Sequence, residues 1–248
     1  MNKNLLPGIA CLIMLSLVIV SFTKKNNSRA GKIRTIVIDA GHGFKGTIGA
    51  RHGAFGTEVS EDQISYEVSK KLVAILQRLL DEDEFLSVGG IRALSKDHEA
   101  NPYSVEIDGQ TYSIQYDPGD STSDMFGGNS NWRGPVWMPL NFLTIQAIQR
   151  FGEFYGDSVK VEYPVGSGKQ LTLQEVAHQL SKRILSLFTR DEKGNRRCYE
   201  DYNWFYKQPG NEHLVLFYEY FHGDSGKGLG ANHQTGWTAL VAELMYEF

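Results

Sequence analysis

FYEYFHGDSGKGLGANHQTGWTALV, residues Phe217 to Val241, sets one glutamate, Glu219, among aromatic residues and ahead of a glycine-rich loop. A carboxylate flanked by Tyr218, Tyr220 and Phe221 sits where stacked rings can hold a sugar and where partial desolvation can tune a general base. The same composition suits an aromatic cluster at a helix end with a solvated glutamate, and composition alone does not separate the two.

A second segment, GNSNWRGPVWMPLNFL (Gly128 to Leu143), is equally rich in residue types that are rare at random. Together the two segments resemble the signature stretches of the catalytic domain of glycoside hydrolase family 63 and its bacterial mannosylglycerate-hydrolase-like relatives. The similarity runs from about Leu80 to the C-terminus, through DEDEFLS, GIRALSKDHE, the turn at Val165 to Lys169, and RDEKG. It implies a mainly α-helical (α/α)6 toroid, present here in part. It also implies that Glu219 is the general base in inverting hydrolysis of an α-glucoside or related glycoside. By the same resemblance Trp132, Arg133, Trp137 and Trp237 contribute to the pocket for a small carbohydrate, and this part needs no cofactor.

Inverting hydrolysis requires two carboxyl groups roughly 6.5–9.5 Å apart, one to protonate the leaving oxygen and one to activate water. In the family the acid is an aspartate in the first half of the toroid, upstream of everything matched here. Asp120, Asp124 and Asp224 lie near the motifs without a family position to make any of them the acid. Asp224 reads as a residue that shapes the HGDSG loop, since Asp and Gly are turn formers. The chain alone is therefore expected to be inactive, and a complementing half-domain is one partner this reading admits.

The first third carries a different pattern. IRTIVIDAGH (Ile33 to His42) reads as a buried strand of β-branched residues that ends in a glycine turn. With Glu61 and the amphipathic run EDQISYEVSKKLVAIL (Glu61 to Leu76), it resembles the opening of a zinc-dependent N-acetylmuramoyl-L-alanine amidase. That resemblance places His42 and Glu61 at the first two zinc-ligand positions. Imidazole and carboxylate suit zinc with an open position for water. The later histidine and catalytic glutamate of that family are not recognisable, and His233 fits the glycosidase tail better. His52 reads as solvated. The two resemblances meet inside one helix between about Leu72 and Leu80 without a Pro, Gly or Ser linker, whereas domain boundaries usually fall in flexible linkers. The junction is therefore read as recombination, a gene remnant or an assembly error.

At 248 residues, 41% hydrophobic and 12% aromatic, the chain can bury a core. A net charge of −4 gives no reason to expect nucleic acid. Leu5 to Phe22 is an uncharged, mostly apolar run after Lys3, as in a secretory signal or an uncleaved membrane anchor. This predicts an exported or inner-membrane-anchored protein, and a cytoplasmic one if the leader is an artefact. Cys11 falls in that leader and Cys198 stands behind it, which leaves no intramolecular disulfide for the mature part.

Local patterns predict the elements. VEIDGQTYSI (Val105 to Ile114) alternates around Asp108-Gly109 and predicts a hairpin. After Pro139 a helix is expected from about Asn141 to Tyr155, with Ile145, Ile148 and Phe151 on one face. Thr172 and Glu175 form a capping box for a helix whose stripe is Leu173, Val176, Leu180, Ile184 and Leu187. A third helix is expected from near Thr235 to the chain end, and the acidic run Asp81 to Glu84 as a solvated face.

The fold class expected is mixed. Residues 1–26 form a signal or anchor, 27–79 a partial α/β amidase-like front, and 80–248 a partial helical toroid with a small β-hairpin. Three readings follow: a glycosidase-derived protein, an exported zinc amidase, or an inactive chimeric fragment. Half a toroid also predicts exposed apolar faces.

Overall fold

The computed structural model describes residues 61–122 and 131–247, with the backbone alone for Glu61, Asp62 and Glu247. The expected leader, the expected strand Ile33–His42 with its histidine, His52 and Asp124 lie outside the described residues. Among the described residues no helix is long and apolar enough to cross a membrane.

Helix α1 (Glu61–Leu79) enters the core through Leu72 and Leu76, and Leu80 follows at its end. Next come the small antiparallel pair β1 (Leu86–Ser87) and β2 (Gly90–Ile91), and the longer hairpin of β3 (Tyr103–Ile107) and β4 (Gln110–Ile114). In that hairpin Ile107 pairs with Gln110, which leaves Asp108 and Gly109 as the two-residue turn, both at positive φ as this turn demands. Helix α2 (Met138–Tyr155) starts three residues earlier than its pattern suggests, because Pro139 falls in the first turn, where no intrahelical N–H is needed.

Strands β5 (Lys160–Glu162) and β6 (Gln170–Thr172) lead into helix α3 (Leu173–Ser186). The expected capping box is present. Thr172 N donates to Glu175 Oε2 at 2.8 Å, and Glu175 N donates to Thr172 Oγ1 at 3.3 Å. All five residues of the predicted stripe are fully buried, each contributing about 1.5–3 kcal/mol relative to exposure. α2 and α3 pack antiparallel. Gln174 at the start of α3 donates to Gln149 O near the end of α2, while Asn141 and Ile184 meet at the opposite ends. Tyr155 Oη donates to Ser65 O and ties α1 to this pair.

The C-terminal part holds the short helix α4 (Asn203–Tyr206), the strands β7 (Tyr220–Phe221) and β8 (Gly228–Leu229), and two helices where one was expected, α5 (Thr235–Thr238) and α6 (Val241–Glu247). The break has a tertiary cause. Thr238 Oγ1 donates to Tyr218 O at 2.6 Å and Trp237 Nε1 to Glu219 O at 2.9 Å, so α5 is tethered to the segment leading into β7 before α6 begins. The acidic run is bonded rather than merely solvated. Glu84 pairs with Arg78 and Glu82 with Arg183, both at 2.7 Å, and Asp81 accepts from Asp83 N. Solvent reaches Ile75 on α1 (62% exposed) and Leu143 on α2 (66%), apolar positions that face away from this core. Cys198 is buried, and burial pushes its thiol up to about 12.

Two polar clamps hold the body in register. Asn141, buried on α2, accepts from Ile91 N at 2.7 Å and donates to Ile91 O and Trp137 O. The space for it exists because residue 90 is glycine: a methyl group there would lie 2.5 Å from Asn141 Oδ1 and 2.8 Å from Ile184 Cδ1, on a backbone at φ +133°. The second clamp is centred on Arg92. Its guanidinium donates to Tyr116 Oη, to the carbonyls of Glu82, Glu84 and Leu86, and to Asp224 Oδ1. Tyr116 Oη also donates to Asp224 at 3.0 Å, and Lys96 lies 3.5 Å away. Asp224 thus shapes its loop through distant partners as well as through local turn chemistry.

Asn141→Ala would leave the Ile91 amide and carbonyl buried without partners, and should destabilise the protein by about 3 kcal/mol in urea unfolding. A loss under about 0.5 kcal/mol, the size of an ordinary surface change, would show that the clamp is dispensable. For Asp224, burial pushes the carboxyl up, but the bonds from Tyr116 and Arg92 and the charges of Lys96 and Arg92 outweigh it, so the net shift is downward. A carboxyl with a depressed folded pKa stabilises above its unfolded value, about 3.9, and that contribution disappears as pH falls through the folded value. The melting-temperature gap between wild type and Asp224→Asn should therefore be widest near pH 7 and close below about pH 3.9; a gap independent of pH would contradict the assignment.

Candidate active site

The two motif segments lie side by side. Val136 N donates to Phe221 O at 2.8 Å and Phe221 N to Val136 O at 2.9 Å, while Val136 also bridges to Arg92. Residues 131–137 and 217–222, far apart in the chain, therefore share one backbone frame.

Glu219 is fixed within that frame on both its backbone and its side chain. Its N–H donates to Ala231 O at 2.7 Å, its carbonyl accepts from Trp237 Nε1, and its Oε2 accepts from Ala231 N at 3.1 Å. This close approach depends on Gly230, which sits at φ +67°. A methyl group there would lie 2.7 Å from Glu219 Oε2 and 2.8 Å from Tyr220 Cε1. Only glycine combines that conformation with that contact. The glycine-rich loop noted in the sequence is thus the cradle that orients the carboxylate.

Beside Glu219 stands a column of rings. Trp132 stacks on Trp137 with centroids 3.9 Å apart and planes 5° from parallel, and Trp137 stacks on Tyr220 at 4.8 Å. Trp237 meets Trp137 edge-on at 6.0 Å. Trp137 is 1% exposed and its Nε1 donates to Asn131 O, whereas Trp132 is 42% exposed. Of the four residues expected to form a sugar pocket, Trp132 therefore offers a face to solvent, and Trp137 and Trp237 support it. The Tyr220 hydroxyl, which donates to Asp120 Oδ1 at 3.1 Å, is kept protonated by burial and then by the negative charges of Asp120 and Glu219.

Arg133 is turned inward, 5% exposed, and pairs with Asp117 at 3.2 Å. It also donates to Ser121 Oγ and Asn131 Oδ1. Asn131 in turn donates to Asp117 O and Gly119 O, and Asp117 accepts from Thr122 N and Thr122 Oγ1. In this arrangement Arg133 holds the 117–122 loop rather than facing solvent. The sequence offered only one hint of this lock, the turn-forming triplet Asp117-Pro118-Gly119. The role of the Ala231 amide had no side-chain signal at all.

Of the expected metal ligands, His42 lies outside the described residues and so does the side chain of Glu61. Among the described residues no group of three or more His, Cys, Asp or Glu side chains is placed to hold a metal ion. His233 sits beside Phe217 in a parallel bridge, within the glycosidase-like tail.

Comparison with known proteins agrees with this grouping. The chain is 53% identical over 182 residues to an uncharacterized protein of Saccharomyces cerevisiae, YMR196W, an alignment that covers 73% of this chain and 17% of that protein. It is 30% identical over 126 residues, half of the chain, to the mannosyl-oligosaccharide glucosidase of the same yeast, covering 12% of it. With the probable mannosyl-oligosaccharide glucosidase of Schizosaccharomyces pombe it shares 25% over 180 residues, 72% of the chain and 16% of the relative. The chain thus spans less than a fifth of the length of these curated relatives. The family model for the mannosylglycerate hydrolase MGH1-like glycoside hydrolase domain matches residues 67–238, from within α1 to the end of α5 and across both motif segments. This chain belongs to the MGH1-like glycoside hydrolase family.

Proposed function

We propose that this chain carries the general-base side of an inverting glycosidase site for an α-glucoside or related glycoside. The observation that carries this reading is the fixing of Glu219 Oε2 by the Ala231 amide beside the Trp132–Trp137–Tyr220 column. A base for hydrolysis must hold a water in line with the anomeric carbon, so its carboxylate must not rotate, and a backbone N–H on one oxygen prevents that. The exposed face of Trp132 supplies the apolar platform on which the C–H face of a pyranose stacks. The relatives' names, glucosidases acting on mannosyl-oligosaccharides, favour a terminal glucose as the sugar.

The second carboxyl that inversion requires comes, in this reading, from the upstream half of the toroid. Base and acid can be tested separately because their burdens differ. Glucosyl fluoride has a leaving group that departs with little protonation, so its hydrolysis depends mainly on the base. The chain should accelerate fluoride release from α-D-glucosyl fluoride with β-glucose as the first product seen by NMR. Glu219→Gln should lower that rate by about 10²-fold or more. Equal rates in the wild type and the variant, or α-glucose as the first product, would exclude Glu219 as an inverting base.

A further inference from the structure

The loop that Arg133 and Asn131 lock in place has an exposed carboxylate at its tip. Asp117, Asn131 and Arg133 are each more than nine-tenths buried, and their hydrogen bonds converge on the segment from Asp117 to Thr122. Buried polar groups of this kind add little net stability over apolar packing of similar volume, but they specify a geometry. Here the geometry they specify is the placement of Asp120. Asn131 precedes Trp132 and holds the carbonyl of Gly119, which precedes Asp120, at 2.9 Å. The platform indole and this carboxylate therefore emerge from cross-linked backbone.

The far wall of the same spot is strand β7 and its extension. Tyr220, in β7, and His222, just after it, both reach this loop. Tyr220 Oη donates to Asp120 Oδ1, Gly223 N donates to Pro118 O at 2.8 Å, and the His222 ring borders Gly119, with Nε2 3.5 Å from where a methyl group on that glycine would lie. His222 Nδ1 accepts from the amides of Asp224 and Ser225, which leaves Nε2 as the protonated nitrogen of the neutral ring. An acceptor (Asp120) and an N–H donor (His222) are thus gathered around one loop, which Asn131 ties to the backbone that carries the apolar face of Trp132. Adjacent hydroxyls on a pyranose present the matching set: O–H groups that donate, oxygens that accept, and a C–H face.

We propose that Asp120 is a sugar-recognition residue of this site, accepting hydrogen bonds from ring hydroxyls of a glycoside stacked on Trp132 and so discriminating between epimers. The proposal rests on the glycosidase reading above and deepens it, since it assigns the recognition of hydroxyl configuration to a residue separate from Glu219.

Binding of methyl α-D-glucopyranoside and methyl α-D-mannopyranoside, followed by tryptophan fluorescence and calorimetry, tests it. Asp120→Ala should weaken the preferred glycoside by about tenfold or more and bring the two affinities together, as loss of a charged hydrogen-bond partner does. Trp132→Ala should weaken both glycosides alike and leave their ratio unchanged. Asp120→Asn keeps the shape of the side chain and its contact with Tyr220, so the effect can be read in a folded protein. Near-UV circular dichroism of the stacked indoles confirms that the fold is retained. If Asp120→Ala and Asp120→Asn both bind the two glycosides as the wild type does, the assignment of Asp120 is overturned while the glycosidase reading stands. If the wild type binds neither glycoside and leaves glucosyl fluoride untouched, the glycosidase reading falls and this assignment falls with it.

Discussion

The pair of backbone hydrogen bonds between Val136 and Phe221 is the constraint on which the site depends. It joins two segments that are short, irregular and remote in sequence, neither of which has a sheet of its own large enough to define its position. Once Val136 and Phe221 are paired, Trp137 falls on Tyr220 and Trp132 on Trp137, and Glu219 is turned toward the loop that carries Ala231. The pairing is protected from water by the core itself: Val136, Trp137, Tyr220 and Phe221 are all at most 1% exposed. A buried backbone bond has no water to exchange with, so losing it carries the full desolvation penalty of both groups.

The body around this pairing divides the work between two kinds of force. α1, α2 and α3 supply apolar burial, with the α3 stripe at its centre, and this fixes the overall packing but not the orientation of any loop. Orientation comes from buried polar side chains that reach across the chain: Asn141 to Ile91, Arg92 to Asp224, Arg133 to Asp117. Each of these brings one of the site segments or its immediate support into register. A carboxylate that must direct a water needs placement within a fraction of an ångström, and directional bonds set that placement more sharply than apolar contact does.

This division explains which parts of the structure were legible in the sequence. The α3 stripe, its Thr172–Glu175 box and the Asp108-Gly109 hairpin were readable because each is a local pattern whose physics is complete within a few residues. The start of α2 and the break between α5 and α6 were not. The first depends on the tolerance of Pro139 in an opening turn, and the second on tethers from Thr238 and Trp237 to Tyr218 and Glu219, about twenty residues away. Family resemblance singled out Glu219 and the tryptophans as a set but could not rank them. The exposure of Trp132, the burial of Trp137 and the inward turn of Arg133 are set by Asp117, Asn131 and Tyr220, whose partnership no spacing rule encodes.

The arrangement also bears on how these segments can hold a coherent site. Hydrolysis with inversion separates its tasks in space: water is activated on one face of the sugar ring and the leaving oxygen is protonated on the other. In the proposed reading the residues gathered here, Glu219 with its Ala231 amide and the ring column behind it, would serve one face, and the bonds that frame them, from Ala231, Trp237 and Val136, lie within the described residues 132–237. A base side held by bonds of its own, as proposed for Glu219, would keep its geometry without support from the acid. In the proposed reading the acid would come from another stretch of chain, and apolar surface such as Ile75 and Leu143 is open to further packing.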